Sequence, residues 1–361
     1  MKTKFLPFVL RSLLVGILFV FAACDPDSGV ETPVGADGFF VVNEGGFGNG
    51  NSSLSFYDRK TDVLTNNVFA SKNGRPLGDQ AQSMTIFEGK GYIVVQNSGK
   101  VEVIDAADFS SVKTITEGLE SPRYFIGVSS TKGYVSDWGA DGVTGTIKVI
   151  NLENLTVTKT VAIGKGPNRF LKKDNFVYVT NAGGFAKDNT VKVLDINTDA
   201  VVKTINVGDN PNSLQVDRDG NIWVASGGQL EYNSDWTINE TKSSKASLSK
   251  IVNDAEVLRL TFSKVTYDGL GQLAISPEGD RLYYNYDGAI YAMATTATAL
   301  PANSFINVSY YGLAVDPFNG NVIGGLAPNF SSAGKADIYD NTGKLLKSFV
   351  VGIAPNSCAF K

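Results

Sequence analysis

The chain repeats itself, and the repeat decides what it can fold into. The stretches "SPRYFIGVSSTKGYVSD", "GPNRFLKKDNFVYVTN", "NPNSLQVDRDGNIWVAS" and "APNSCAFK" each pass from a proline through one or two polar residues to an apolar anchor, at Phe125, Phe170, Leu214 and Cys358. "QAQSMTIFEGKGYIVVQ", "GLGQLAISPEGDRLYYN" and "YYGLAVDPFNGNVIGG" fit the same register, with anchors at Met84, Leu273 and Leu313. From Met84 onward the anchors recur at intervals of 41, 45, 44, 59, 40 and 45 residues. Each unit holds four strand signals. In the unit anchored at Phe170 they are 169–171, 176–180, 191–194 and 201–207, β-branched and aromatic runs separated by turn residues. "DRDGN", "PEGD" and "PFNGN" supply the positive-φ residues that tight hairpins need. Asp217–Gly220 has the look of a calcium loop but lacks the other ligand positions, and reads as a hairpin turn. Four short strands every ~45 residues is the period of a β-propeller blade.

The ends complete the count. "APNSCAFK" supplies only a first strand, while the segment before Met84 supplies only later ones, 39–42, 54–57 and 63–69. Joined, they make one blade and close a ring with no open edge. The expected fold is therefore all-β, a seven-bladed propeller over residues 38–361. Cys358 falls where other blades place Phe, Leu or Met, as a small buried hydrophobe.

Propeller strand order puts the connection into each first strand and the loop between strands two and three on one face. That face carries the length and the rings: "NEGGFGNGNSS", "DWGADGVTG", "NAGGFAKDN", "SGGQLEYNSDWTINETKSSK" and "GLAPNFSSAG" bear Phe47, Trp138, Phe185, Tyr232, Trp236 and Phe330. Long loops in a compact repeat fold are usually functional. The residues before each first strand, Arg75, Gln80, Arg123, Tyr124, Asn168, Arg169, Asn212 and Asn356, are expected around the central channel. They either contact a ligand or bond carbonyls of adjacent blades. Apolar rings around a polar centre suit a large planar or amphipathic ligand.

Composition removes several chemistries. The sequence contains no histidine, which excludes His-based triads and His-ligated zinc or copper. Its net charge of −4 gives no reason to expect nucleic acid. No metal or other cofactor is expected. The carboxylates Glu44, Asp79 and Asp137 are the candidates an enzymatic, lactonase-like propeller would use for a metal.

Residues 1–23 read as a secretory signal: a basic start, an apolar run and a small pair, Ala22–Ala23, before Cys24. This resembles a bacterial lipobox, with Phe21 where leucine is usual, and implies lipid attachment at Cys24. Residues 24–37 read as an acidic, Pro- and Gly-containing tether. If Cys24 is acylated, Cys358 has no partner for a disulfide.

The lipobox, the opening "GFFVVNEGGFGNGNSSLSFYD" and the repeated "V-G-x-x-P-N-S" units together resemble the YncE/YVTN-type seven-bladed propellers of Bacteroidetes, and more closely the surface lipoproteins related to BtuG. That resemblance implies a non-enzymatic, lipid-anchored protein on the outer-membrane surface. It would capture a corrinoid of the vitamin B12 class and deliver it to a TonB-dependent transporter. The ligand-contacting residues would be Phe47, Gln80, Arg123, Tyr124, Trp138, Arg169, Phe185, Tyr232, Trp236 and Phe330. Without histidine, such a protein would hold the corrin by aromatic contact and hydrogen bonds to its amides. A propeller for a glycan, a siderophore or a protein partner is the alternative.

Overall fold

The computed structural model describes residues 37–267 and 269–361. The leader, Cys24 and all of the tether except Asp37 lie outside the described residues.

Seven antiparallel sheets form in chain order. Blade 1 contains β1 (Gly38–Asn43), β2 (Ser53–Asp58) and β3 (Val63–Thr65), followed by a short helix, α1 (Val68–Asn73). Blade 2 is β4 (Ala81–Phe87), β5 (Lys90–Val95), β6 (Lys100–Asp105) and β7 (Ser111–Ile115). Blade 3 is β8 (Pro122–Ser129), β9 (Lys132–Asp137), β10 (Thr144–Asn151) and β11 (Thr156–Lys165). Blade 4 is β12 (Pro167–Lys173), β13 (Phe176–Asn181), β14 (Thr190–Asp195) and β15 (Ala200–Asn206). Blade 5 is β16 (Pro211–Val216), β17 (Ile222–Ser226), β18 (Ser247–Val252) and β19 (Ala255–Thr261). Blade 6 is β20 (Leu273–Ile275), β21 (Arg281–Tyr286) and β22 (Ala289–Ala294). Blade 7 is β23 (Gly312–Val315), β24 (Val322–Leu326), β25 (Ala333–Tyr339) and β26 (Leu345–Ile353). The last strand, β27 (Pro355–Phe360), pairs with β1, so blade 1 reads β27-β1-β2-β3. The first strands touch in a closed circle, β27 to β4, β8, β12, β16, β20, β23 and back to β27. The ring-closing shared blade expected from the repeat is present.

The sequence pattern follows the radius of this ring. Second strands are buried on both faces, because each lies between two neighbouring sheets; β17, "IWVAS", is buried throughout. Outer strands face solvent, and β15 buries one residue of its length. The core therefore lies between blades. Phe125 of blade 3 stacks on Tyr92 of blade 2 with centroids 3.9 Å apart, beside Val135, Ile150 and Leu152. Burying one such side chain contributes about 1.5–3 kcal/mol.

Two expectations need correction. The run 63–69 is not one strand: β3 stops at Thr65, Asn67 takes a left-handed φ of 56°, and Val68 and Phe69 are buried on a short helix. Burial against Phe40, Phe56 and Phe109 accounts for the helix; Asn67 makes no capping bond to it. Blade 6 has three strands rather than four. "TTATALPANS", which follows β22, has alanine between its threonines and contains a proline, and among the described residues pairing beyond β22 is limited to one bridge, Ile290 to Ile306.

Candidate functional site

The repeat builds the site through a recurring irregularity. In five blades the register slips just before the anchor. Gln82, Asn212 and Asn356 are the extra residues in blades 2, 5 and 1; in blades 3 and 4 Arg123–Tyr124 and Asn168–Arg169 lie opposite the single residues Ser136 and Thr180, so each bulge again adds one residue. Such bulges re-aim side chains. The residues two places before the seven anchors are Gln82, Arg123, Asn168, Asn212, Gly271, Tyr311 and Asn356, and all seven line one cavity of about 510 Å³. The residues that follow Arg123 and Asn168, Tyr124 and Arg169, also line its wall. An adjoining hollow of about 450 Å³ shares Arg123, Asn168 and Asn212 and adds Trp138, Leu230 and Tyr232.

Most of the amides at this level join blades. Asn168 Nδ2 donates to the Asn212 carbonyl (3.3 Å) and Asn212 Nδ2 to the Leu270 carbonyl (3.0 Å). Asn356 Nδ2 donates to the carbonyls of Ala81 (3.2 Å) and Gln82 (2.9 Å), and Gln272 Nε2 to that of Asn356 (2.6 Å). Their donors are thus committed to the ring.

The cavity has two chemically different sides. On the side of blades 1 and 7, Glu44 is buried; Oε1 accepts from Asn356 Nδ2 and Oε2 from the Tyr311 hydroxyl, each at 2.8 Å. Burial raises the Glu44 carboxyl above its ordinary value, against the opposing pull of these two bonds and of Arg123. Burial and then the Glu44 charge push the Tyr311 hydroxyl up as well. On the side of blades 3 and 4, the Arg123 guanidinium lies 4.2 Å over the Trp138 ring and donates through Nη1 to Gln96 Oε1. Arg169 lies 4.7 Å over the Tyr124 ring.

The other sequence candidates are spread over the same face. Trp138 donates through Nε1 to the Pro167 carbonyl (3.0 Å) and meets Phe185 edge-on at 6.1 Å. Tyr232 lies 6.5 Å from Trp236 and 6.3 Å from Tyr267. Phe330 lines the central cavity and packs edge-on to Tyr311 at 4.9 Å. Phe47, Phe185 and Trp236 line neither hollow and stand 77%, 82% and 80% exposed at loop tips. Gln80, at φ 60°, approaches the Gly45 carbonyl at 3.5 Å and also lines neither hollow. Arg75 is not at the channel. It is paired with the buried Glu102 at 2.7 Å and stacked on Phe69, where it offsets a carboxylate inside blade 2.

The three carboxylates considered for a metal lie in separate settings. Asp79 Oδ2 accepts from the Gly48 amide and from Asn97 Nδ2, and Asp137 accepts the amides of Glu120, Ser121 and Gly139. Among the described residues, no group of three or more His, Cys, Asp or Glu side chains could hold a metal. Asp217 organises its hairpin by accepting from the amides of Asp219 and Asn221 and from the Trp223 indole. The Cys358 thiol is pushed up to about 12 by burial and stays protonated at neutral pH.

Sequence reading by loop content passed over Tyr311, Gln272, Asn285 and Tyr267, all of which line the cavity. Tyr311 was within reach, since it stands two places before the Leu313 anchor in the register that supplies Arg123.

A family model described as "Domain of unknown function (DUF5074)" matches residues 37–351. No curated protein matches. Among solved structures, the chain resembles a quinonprotein alcohol dehydrogenase-like protein from Bacteroides thetaiotaomicron, with 19% identity over 90% of this chain and 78% of that one and a TM-score of 0.62. It also resembles a Bacteroides fragilis protein named as a candidate 6-phosphogluconolactonase, with 14% identity, coverage of 93% and 100%, and a TM-score of 0.64. A functionally unknown protein from Desulfotomaculum acetoxidans matches at 13% identity, coverage of 90% and 99%, and a TM-score of 0.65. At these identities the likeness is one of fold.

Proposed function

The chain belongs to the DUF5074 family, and on that premise we propose that it is a non-enzymatic binding protein whose ligand lies across the mouth of the propeller. One observation carries this reading. Among the described residues nine aromatic side chains are exposed, and seven of them (Phe47, Phe185, Tyr232, Trp236, Tyr267, Tyr311 and Phe330) stand on the face that holds the two hollows. Exposed rings are costly to leave in water and are favoured where they are covered on binding. The combination of flat apolar contacts outside and hydrogen-bonding groups within suits a ligand larger than either hollow.

A corrinoid fits these terms: a broad, largely planar macrocycle fringed with amides. The chain has no histidine to coordinate cobalt, so the grip comes from packing and amide hydrogen bonds, and release needs no ligand exchange at the metal. With the lipobox at Cys24, the protein acts at the outer-membrane surface and passes its cargo to a TonB-dependent transporter. Titration of the purified protein with cyanocobalamin and with cobinamide, followed by calorimetry, tests the cargo. Saturable heat at micromolar ligand supports it, and its absence for both ligands overturns it. Affinity capture from a membrane extract tests the transporter.

The cluster Tyr232, Trp236 and Tyr267 favours a second reading, because neighbouring exposed rings are also a platform for sugar rings. A glycan array separates the two.

A further inference from the structure

We infer that the mouth recognises its ligand through an anionic group, a phosphate or a carboxylate, held between Arg123 and Arg169; the inference rests on the reading of the mouth as a binding site. The two arginines depart from the pattern around them. At the same level, blades 1, 4, 5 and 6 place neutral amides whose nitrogens donate across to adjacent blades. At the bulges of blades 3 and 4 the chain also brings two cations, Arg123 and Arg169, to the wall of one cavity. Every ion pair made by an arginine of the described residues belongs to Arg59, Arg75, Arg218 or Arg259. Arg123 and Arg169 have none. Arg123 Nε is buried without a hydrogen-bond partner.

Arg123 uses Nη1 on Gln96 Oε1; among the described residues its other N–H groups and those of Arg169 have no protein acceptor. A guanidinium stacked on a ring has its face covered and its N–H edge open, which is the edge that meets an oxyanion in a fork. Trp138 covers Arg123 and Tyr124 covers Arg169. Tyr124 follows Arg123 in sequence, so the two stacks are neighbours. Burial disfavours the Arg123 charge most; Tyr124, Glu44 and Tyr311 offset part of that, and Arg169 adds a smaller like-charge repulsion that a bound anion relieves. Of the acidic residues on the cavity wall, Glu44 is engaged by Asn356 and Tyr311, and Asp287 is paired with Lys264. The anion therefore belongs on the side of blades 3 and 4, away from Glu44.

The test uses tryptophan fluorescence of the purified protein in a Trp236→Phe background. Of the other two indoles, Trp223 is fully buried and Trp138 carries Arg123 on its face. Inorganic phosphate and succinate are titrated against chloride at equal ionic strength, and the stronger arm tells phosphate from carboxylate. The expected result is a saturable change for at least one of them. Arg169→Gln should weaken it about tenfold or more, and Arg169→Lys should weaken it less. Arg169 is the cleaner variant because its head group makes no ion pair that folding needs. No saturation beyond the chloride control overturns the anion site.

The same variants are titrated with corrinoids. If phosphate saturates and no corrinoid binds, the anion site stands and the corrinoid cargo fails. If cyanocobalamin binds equally to the parent and to Arg169→Gln while neither anion saturates, the cargo stands and the anion site fails. If both hold, Arg169→Gln should weaken cyanocobalamin, which carries a phosphodiester, and spare cobinamide, which lacks it.

Discussion

Two loop tips of nearly the same sequence, "NEGGF" at 43–47 and "NAGGF" at 181–185, show how one turn serves two settings. Their backbones are anchored alike. The amides of Glu44 and Gly45 donate to the carbonyls of Ala354 and Ile353, and those of Ala182 and Gly183 to Gly166 and Lys165, the connections into their own first strands. The asparagines also match: Asn43 bonds Ser53 and Ser55 of its own blade, and Asn181 bonds Thr190. Beyond the backbone they diverge. The Phe185 amide donates to the Gly142 carbonyl, and its ring lies over Gly142, where a Cβ would come within 2.3 Å of it, and edge-on to Trp138. Among the described residues Phe47 has no aromatic neighbour within stacking reach, and the tip is held to blade 2 through Gly48 and Asp79. Where one tip carries Glu44 into the cavity, the other carries Ala182. The shared motif thus specifies a turn, and the neighbouring blade decides what the ring does.

The largest test of this difference is at the second glycine of each pair. Gly184 has a φ of +61°, and a Cβ there would lie 2.1 Å from the Gly142 carbonyl oxygen. Gly184→Ala should cost about 2–3 kcal/mol, since strain and a backbone clash act together. At this chain length that lowers Tm by about 4 °C in a thermal melt. Gly46 is not in the left-handed region, and a Cβ there would crowd the flexible Asn49 side chain and meet the Phe330 carbonyl at an ordinary 3.6 Å, so Gly46→Ala should change stability by about 0.5 kcal/mol or less. Equal losses would show that the tips are equivalent after all.

Next come the rings. Phe185→Ala should weaken cyanocobalamin binding about tenfold and Phe47→Ala about threefold, with Tm within about 2 °C of the parent in both, because exposed side chains contribute little to folding. A large Tm loss in either would make that ring a structural plug. Without any ligand, Phe185→Ala should shift Trp138 emission towards that of a solvated indole, and Phe47→Ala should leave it unchanged. The smallest expected effect is at Glu44. Its folded carboxyl titrates above the ordinary value of 4.5, so the folded chain binds the proton more tightly than the unfolded one. Its favourable share of stability is complete below about pH 4.5 and declines as pH rises through the higher folded value. Urea unfolding at a series of pH values should show that decline in the parent and a flatter profile in Glu44→Gln. An unchanged profile would place the titration elsewhere.

The ring, its closure and the face bearing the loops could be read from the sequence because periodicity and turn chemistry are local signals. The failures were tertiary. Val68 and Phe69 have strand-like side chains, but Asn67 turns the backbone and three phenylalanines from elsewhere bury them. Arg75 reads as a rim donor until Glu102, on another strand, claims it. Asn168, Asn212 and Asn356 were correctly placed at the channel. Which of the two open roles their donors play depends on carbonyls of the next blade, which no spacing reveals. Tyr311 and Glu44 find each other across most of the chain.

The bond from Asn356 to Glu44 spans more of the chain still, and it has a kinetic consequence. Glu44 and Asn356 are 312 residues apart, yet their bond crosses the wall of the cavity. Loop-closure entropy grows only logarithmically, so the equilibrium penalty for such distance is modest. The rate is another matter, because non-local pairings slow folding and tend to be made after local hairpins. Blades can assemble as hairpins in sequence, but the cavity does not exist until β27 meets β1. A newly made chain therefore completes the cavity in one late step, and a partly folded one does not present it.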